Sequence, residues 1–492
     1  MPLPGEVSKV TCNYMEKSAE AVVLTGNELG QYPRGLTGKE GPNVKSRLDS
    51  CMNLHQANSL HLERQEQIGM IAKVVTARNL TIARNKVIGN KGSSGVDGMP
   101  VSALRDFINL NRATIVGQLI SCSYRPQAIK GVSIPKPKGK TRLLGVPTVV
   151  DRWLQQAVSQ QLAIHFELDF EAESYGFRPR KNLQQAVLKS RSYINDGYQG
   201  IVDIDLKGFF DEVQHYKLLQ LIYNKVKCRT TLWLIRKWLR APILKNGRLY
   251  KRRKGLPQGS PLSPLLSNIM LDQLDKYLKS KGFRFIRYAD DFSIYAESKA
   301  AARAIGNAVY VFLRDRLDLP INREKSGLRR PLTFKVLGYR FTSVYKKGVK
   351  GKYQLVVSKE AWQSLKQKLR YATKKTLPYS FQERLQRLKL IYQGWLNNYR
   401  LGNILAKLKK IDEWLRNRLR YCIWHDWKKL ERKRKNLIRL GVDQGQAYAW
   451  SRTRMGGWAV AQSPILRTTI TEKRLKGRGY QSMLEYYHLV KF

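Results

Sequence analysis

Two adjacent aspartates at the tip of an apolar hairpin constrain this chain more than any other feature of its sequence. Residues 285–296 read FIRYADDFSIYA, in which Asp290 and Asp291 separate two short segments of alternating apolar residues. This alternation predicts two strands joined by a tight turn. Neighbouring carboxylates repel each other, so the pair needs solvent or a cation to compensate its charge. From this segment alone, a solvated turn and a metal site both remain open.

A second acidic segment upstream favours the metal site. Residues 201–210 read IVDIDLKGFF, in which Asp203 and Asp205 alternate with apolar residues. Both acids are therefore expected on one face of a strand. Mg²⁺ is usually bound through one or two carboxylates plus substrate phosphates, which suits acids gathered from two strands. The alternation does not decide which of the two acids reaches a metal.

The charge of the chain limits the class of partner. Its 492 residues include 90 Lys and Arg against 37 Asp and Glu, a formal net charge of +53. A field of that strength favours a polyanion such as nucleic acid. A membrane surface is the competing partner, but no run of about eighteen apolar residues is present to span a bilayer. The N-terminus lacks the pattern of a signal peptide and the five cysteines form no CxxC pair, so we expect a reducing cytoplasm.

The sequence as a whole resembles the group II intron-encoded reverse transcriptases, in particular the compact bacterial class without an endonuclease domain. The segments SYGFR, DLKGFFD, LPQG and RYADDF occur in the order of that family, and QGWLNNYR and IWHDWKK resemble its maturase region. The resemblance implies an α+β right-hand polymerase, with fingers and palm followed by an all-helical thumb or maturase domain. The expected divisions are a flexible leader at 1–60, fingers with part of the palm at 61–200, the palm at 201–345 and the helical RNA-binding domain at 346–492.

The resemblance also implies the catalytic residues. It places the metal-binding carboxylates at Asp205, Asp290 and Asp291, and leaves Asp203 as a structural acid. Two Mg²⁺ ions, with Mn²⁺ as a possible substitute, are expected there. One would lower the pKa of the primer 3′-hydroxyl, and the other would neutralise charge on the leaving pyrophosphate.

Five further residues are expected to contact the incoming dNTP: Lys136, Arg142, Phe210, Gln258 and Lys325. In the family, a basic hairpin closes over the triphosphate, an aromatic ring excludes a ribose 2′-hydroxyl, and the LPQG glutamine touches the nucleotide. Each residue also has a plainer interpretation, because turn lysines are often solvated and Phe is usually part of the core.

From about residue 360 the sequence favours amphipathic helices rich in Lys, Arg and Trp. Aromatic residues interleaved with arginines favour RNA, through phosphate contacts and stacking. We therefore expect RNA contacts from a group of cations on one helix: Arg416, Arg418, Arg420, Lys428 and Lys429.

These features predict an RNA-directed DNA polymerase that copies intron RNA into DNA and also binds that RNA to assist splicing and mobility. Its expected partners are intron RNA, an RNA template, a DNA primer or target and dNTPs, in a bacterial cytoplasm near the nucleoid. One alternative is an RNA-binding splicing cofactor with an idle polymerase site, although intact carboxylates argue against it. Another is a free-standing reverse transcriptase recruited to a host defence function.

Overall fold

The computed structural model describes residues 69–135, 141–344 and 351–491. Within these ranges the helices are α1 (Ala77–Gly89), α2 (Leu104–Ile120), α3 (Val149–Phe166), α4 (Leu183–Asn195), α5 (Phe209–Glu212), α6 (His215–Val226), α7 (Arg229–Arg240), α8 (Ser263–Ser280), α9 (Lys299–Phe312), α10 (Lys359–Ala372), α11 (Phe381–Tyr399), α12 (Leu405–Asp426), α13 (Leu430–Arg439), α14 (Gln444–Ser451), α15 (Gly457–Gln462), α16 (Pro464–Arg467), α17 (Glu472–Gly477) and α18 (Met483–Val490). A π-helical turn, Leu313–Leu317, extends α9.

The strands are β1 (Ile129–Pro135), β2 (Thr141–Val146), β3 (Gly200–Asp205), β4 (Ile243–Lys245), β5 (Arg248–Tyr250), β6 (Arg284–Tyr288), β7 (Asp291–Ala296), β8 (Gly327–Arg329), β9 (Lys335–Val336), β10 (Tyr339–Ser343) and β11 (Tyr353–Val357). They form three sheets, with strand orders β2-β1-β4-β5, β6-β7-β3-β8 and β11-β10-β9. The β1–β4 pair is parallel, and the other pairs are antiparallel.

The β6-β7-β3-β8 sheet, which we call the central sheet, separates two hydrophobic cores. Along β3, Val202 and Ile204 face the first core, whereas Ile201 faces the second. The first core is built mainly with α1–α3 and α5–α9, and the second with α4 and the helices from Lys359 onward. Since successive strand residues point to opposite faces, Asp203 and Asp205 share the face of Ile201, as the alternation predicts.

The hairpin predicted around the two aspartates is confirmed, with β6 and β7 as its strands. Phe285 and Phe292 are buried in the first core, which fixes the register because a slip by one residue would turn both rings to the opposite face of the sheet, away from that core. The antiparallel β1–β2 hairpin is also confirmed, although its turn lies outside the described residues. The next helix, α3, begins at Val149, where the Thr148 hydroxyl caps it by accepting a hydrogen bond from the Asp151 backbone N–H.

Helices dominate the described chain from Lys359 onward, as the composition predicts. The apolar faces of two of these helices, α11 and α12, are buried, for example at Leu388, Tyr392 and Leu415. None of the helices in the described ranges combines the length and apolarity needed to span a bilayer. The leader predicted at 1–60 lies outside the described residues.

Candidate active site

The central sheet brings the predicted acids to one end. In the β3–β7 ladder Asp205 lies directly opposite Asp291, and in the β6–β7 ladder Tyr288 lies opposite the same residue. The turn between β6 and β7 therefore consists of Ala289 and Asp290. Side chains directly opposite each other in an antiparallel pair have Cβ atoms about 4.5–5.5 Å apart. Both carboxylates can thus contact one small ligand.

The electrostatics of this end are unfavourable for carboxylates alone. The pKa of Asp291 is raised to about 6, mainly by partial desolvation and then by the charges of Asp290, Asp205 and Asp203, while Lys325 opposes the shift. Burial also raises the pKa of Asp203 to about 6, opposed by Arg329 and supported by Asp205. A bound cation would relieve this repulsion.

Asp203 has a cationic neighbour of its own. The Arg329 Nε lies 3.8 Å from its Oδ2, and β8 brings the two together by pairing with β3. This contact agrees with the role of structural acid expected for Asp203.

A loop after the π-helical turn orients Asp205. The Nδ2 of Asn322 donates to its carboxylate at 3.0 Å, and the Ser326 hydroxyl accepts from its backbone N–H at 3.0 Å. The Nζ of Lys325 lies 3.1 and 3.2 Å from the two carboxylate oxygens. Lys325, expected near the triphosphate, thus lies directly beside a predicted metal ligand, with most of its side chain exposed.

The donor set suits a divalent cation that keeps open positions. Within the described ranges, no group of three or more His, Cys, Asp and Glu side chains is placed to hold a metal ion. Mg²⁺ is commonly held by one or two carboxylates, with phosphates and water completing its six oxygens. Asp205 and Asp291 border a cleft of about 170 Å³ together with Asp203 and Ser293, which leaves room for such oxygens.

A buried arginine supports the aspartate turn from behind. The guanidinium of Arg287 is fully buried and donates to both carboxylate oxygens of Asp275 on α8 at 2.5–2.9 Å. Its Nη1 donates to the Asn268 Oδ1 at 2.9 Å and to the Ala289 carbonyl at 3.0 Å. The last contact fixes the backbone of the residue that precedes Asp290.

The SYGFR segment packs against the same turn. The Asn268 Nδ2 donates to the Gly176 carbonyl at 2.9 Å, and the Tyr175 N–H donates to the Arg287 carbonyl at 2.8 Å. A Cβ on Gly176 would lie 2.2 Å from the Ala289 backbone nitrogen, so only glycine fits here. Sequence reasoning missed this support; its signals were the arginine in RYADD and the glycine in SYGFR.

The other predicted nucleotide contacts lie on several elements. Phe210 is half-buried on α5, with its ring centroid 5.4 Å from that of Phe209 in an edge arrangement. The Gln258 carbonyl accepts from the Gly145 N–H at 2.8 Å, which ties the LPQG loop to the end of β2. Arg142 is exposed on β2, where its charge is available to a ligand. Lys136 lies outside the described residues.

The structure corrects the prediction for the arginines of α12. Arg420 is buried, and it donates to the Ile470 carbonyl at 2.9 Å and to the Asn417 side chain at 2.6 Å. It therefore ties α12 to the segment that follows α16, and its guanidinium does not face solvent as the predicted RNA contact requires. The sequence periodicity of α12 shows one apolar stripe, but the chain around Ile470 packs on another side of the helix and covers Arg420 there.

The neighbouring arginines also make internal contacts. Arg416 pairs with Asp412 at 2.7 Å, and Arg418 donates to the Thr373 hydroxyl at 3.0 Å with its guanidinium over the Trp458 ring. Lys428 and Lys429 are exposed in the break between α12 and α13. Of the five predicted RNA contacts, these two lysines are the most accessible.

Four other exposed cations lie on α10 and α12, and the sequence did not indicate them as a group. Lys366 of α10 lies over the Trp414 ring of α12, and Lys407 of α12 lies over the Trp362 ring of α10. Burial lowers the pKa of Lys407, and so do the charges of Lys359 and Lys366. We call Lys359, Lys366, Arg370 and Lys407 the α10–α12 basic face.

Comparison with known families decides the relationship. Residues 134–341 match the family described as reverse transcriptase (RNA-dependent DNA polymerase), and residues 362–441 match the group II intron maturase-specific domain. The chain combines a reverse transcriptase domain with a group II intron maturase-specific domain. Its fold is accordingly the α+β palm and fingers of a reverse transcriptase followed by a helical C-terminal region, and this reverse transcriptase family generally uses divalent metal ions.

Individual members of the family are moderately similar. The chain is 36% identical over 207 residues to the group II intron-encoded protein LtrA of Lactococcus lactis subsp. cremoris, which covers 42% of this chain and 34% of LtrA. It is 31% identical over 206 residues to the putative COX1/OXI3 intron 2 protein of Saccharomyces cerevisiae, covering 42% of this chain and 24% of that protein. Protein YkfC of Escherichia coli is 28% identical over 289 residues, covering 51% of this chain and 76% of YkfC. The similarity thus spans 34% of one intron protein and 24% of the other.

Proposed function

We propose that this chain is an RNA-directed DNA polymerase that copies intron RNA into DNA and binds the same RNA to assist its splicing and mobility. One observation carries the polymerase assignment: Asp205 lies opposite Asp291 in the β3–β7 ladder, next to Asp290 in the turn, within a reverse transcriptase domain. The charge of +53 supports a polyanionic template and product.

Asp205, Asp290 and Asp291 would hold two Mg²⁺ ions. Bound there, the ions supply an activated primer 3′-hydroxyl and charge neutralisation on the phosphates. The protein keeps its carboxylates fixed: Asn322 and Ser326 orient Asp205. Such positioning and electrostatic stabilisation supply most of the catalysis in phosphoryl transfer.

Three side chains around these acids have separate roles in the proposal. Lys325 balances the negative charge of Asp205 beside it. When the acids bind metal, its ammonium group can contact the triphosphate instead. Phe210 presents its half-buried ring five residues after Asp205, where it excludes a ribose 2′-hydroxyl. Gln258 contacts the nucleotide from the LPQG loop, which the Gly145 N–H anchors.

The maturase-specific domain supports the splicing role. We assign intron RNA binding to the α10–α12 basic face together with Lys428 and Lys429. These cations are exposed, and the half-buried Trp414 ring lies beside Lys366 on the same face, whereas the Trp362 ring beneath Lys407 is buried in the second core. Exposed cations beside aromatic rings suit phosphate contact combined with base stacking. We place the protein in the cytoplasm, where both its RNA and a DNA primer are available.

Extension of a DNA primer on an RNA template tests the polymerase assignment. We expect Asp205→Asn to abolish extension with dNTPs and Mg²⁺, because the substitution removes a ligand charge at constant shape. The matched control is Asp203→Asn, two residues away on the same face of β3, which should retain most activity. Loss of extension in both variants, or in neither, would contradict the ligand assignment.

A further inference from the structure

A second cavity, of about 470 Å³, lies between the β2-β1-β4-β5 sheet and the LPQG loop. Its volume falls within the range of ligand-binding pockets, about 300–1,000 Å³. Gln258 lines it, together with four consecutive cations from the segment that leads into the loop, Lys251, Arg252, Arg253 and Lys254. Asp211 is the acidic residue in its lining. The excess of cations gives the cavity a positive field.

The four cations are not equivalent. Lys254 is neutralised by Glu212, whose Oε2 lies 2.6 Å from its Nζ. Lys251 and Arg253 are exposed, so water screens their charges. Arg252 is mostly buried, and its charge acts in a medium of lower dielectric constant, where it is strongest.

Arg252 is only partly satisfied by the protein. Its Nη2 donates to the Gly255 carbonyl at 2.7 Å, while its buried Nη1 has no hydrogen-bond partner among the described residues. Burial lowers the pKa of Arg252 to about 10, opposed by Asp211, so the guanidinium remains charged at neutral pH. A buried cationic N–H without an acceptor is costly, and an anionic oxygen from a ligand would remove that cost.

We propose that this cavity binds a phosphate group of a polymerase substrate and that Arg252 is its principal ligand. The proposal rests on the polymerase function proposed above, because Gln258, the expected nucleotide contact, lines the same cavity. A guanidinium offers paired N–H donors that match phosphate oxygens, and Lys251 and Arg253 add charge at the opening. The phosphate can belong to the triphosphate of the nucleotide or to a phosphodiester of the template strand.

Two binding measurements distinguish these sources. Affinity for an RNA template annealed to a DNA primer is measured over a range of salt without nucleotide. Affinity for dTTP is measured by calorimetry on the same complex with a dideoxy-terminated primer, so that no chemistry is needed. We expect Arg252→Met to weaken one of these two affinities, for the annealed template and primer or for dTTP, about tenfold. Lys251→Met, which removes an exposed cation, should weaken the same one by a smaller factor.

The pattern of loss assigns the source. Weaker dTTP binding with unchanged template affinity places the triphosphate in the cavity. Weaker template binding, with a salt slope reduced by about 0.7, places a phosphodiester there, since that is the slope expected for one phosphate contact to a single strand. Arg248→Met is the matched control, because Arg248 is exposed on β5 and does not line the cavity.

Folding is checked by thermal melting of each variant. If Arg252→Met melts at a much lower temperature than wild type, the affinities of Lys251→Met and Arg253→Met test the proposal instead. Both of these side chains are exposed, so their replacement should not affect folding. Unchanged dTTP and template affinity in the folded variants, or equal losses in Arg248→Met, would overturn the proposal. Failure of the wild-type protein to extend a primer would instead contradict the polymerase function, since both binding measurements are independent of extension.

Discussion

Arg287 and Asp275 form a fully buried ion pair directly behind the aspartate turn, with Nη2 and Oδ2 2.5 Å apart. Removing the arginine alone would leave a buried carboxylate without its partner. We therefore expect Arg287→Met to lower the free energy of unfolding by about 3–5 kcal/mol, measured by denaturant titration. Arg284→Met, which replaces an exposed residue at the start of the same strand, should cost less than about 1 kcal/mol.

The same pair permits a double-mutant test. If the cost comes from the unpaired Asp275 charge, the combined Arg287→Met and Asp275→Leu variant should be more stable than Arg287→Met alone. A double variant as unstable as the sum of both single variants would show that the two residues act independently.

Asn268 joins Arg287 to the Gly176 carbonyl, and so connects the turn to the SYGFR segment. We expect Asn268→Ala to lower kcat about tenfold, because looser positioning of Asp290 and Asp291 misaligns the reacting groups. KM for dNTP should change little. Ser267→Ala is the control: its hydroxyl is buried on the same helix without a hydrogen-bond partner among the described residues. A rise in KM with unchanged kcat would contradict this positioning role.

Gly176 lies so close to the aspartate turn that a Cβ added to it would be 2.2 Å from the Ala289 backbone nitrogen. Gly176→Ala must displace the turn, so primer extension should fall at least tenfold. Gly117→Ala is the matched control, because an added Cβ there meets nothing within 4 Å and Gly117 lies within α2. That substitution should leave extension unchanged and raise stability slightly. Normal extension by Gly176→Ala would contradict the proposed packing.

The raised pKa of Asp291 implies that ionised acids at this end of the sheet repel one another. In EDTA we expect Asp291→Asn to raise the free energy of unfolding by about 1 kcal/mol, after allowance for solvent screening. The same variant should lose primer extension. Its advantage in stability should shrink when Mg²⁺ is added, since only the wild-type carboxylate then gains a cation. A variant less stable than wild type in EDTA would contradict this electrostatic account.

Replacing three lysines of the α10–α12 basic face, Lys359, Lys366 and Lys407, by glutamine should weaken binding of a structured RNA. The slope of log K against log salt should fall by about 2–3 if each lysine contacts one phosphate. A triple variant of exposed cations in the N-terminal half, at Lys86, Arg105 and Arg112, controls for total charge. Equal losses in the two triple variants would indicate a nonspecific charge effect.

Much of the site could be predicted from the sequence because its signals are local. Strict alternation around Asp203, Asp205 and the hairpin predicts which face each acid occupies, and the resemblance to reverse transcriptases predicts that Asp205 acts with Asp290 and Asp291. The Arg287 network could not be predicted in this way. It joins residues of SYGFR, α8 and β6 that only the tertiary fold brings together.

The arginines of α12 illustrate a second limit. Helical periodicity reveals a single apolar stripe, so Arg420 appeared to face solvent. In the structure the segment containing Ile470 packs on that side, and its carbonyl accepts from the guanidinium. Cations that serve as internal donors have the same sequence signal as cations that bind RNA.

Parallel assays of extension and binding test the central claim most directly. Wild type and Asp290→Ala are compared for RNA-templated primer extension with dNTPs and Mg²⁺, and for affinity to the same template and primer. The account predicts extension by wild type alone, with equal binding by both proteins. Binding by both proteins without extension by either would contradict it and would favour an RNA-binding splicing cofactor.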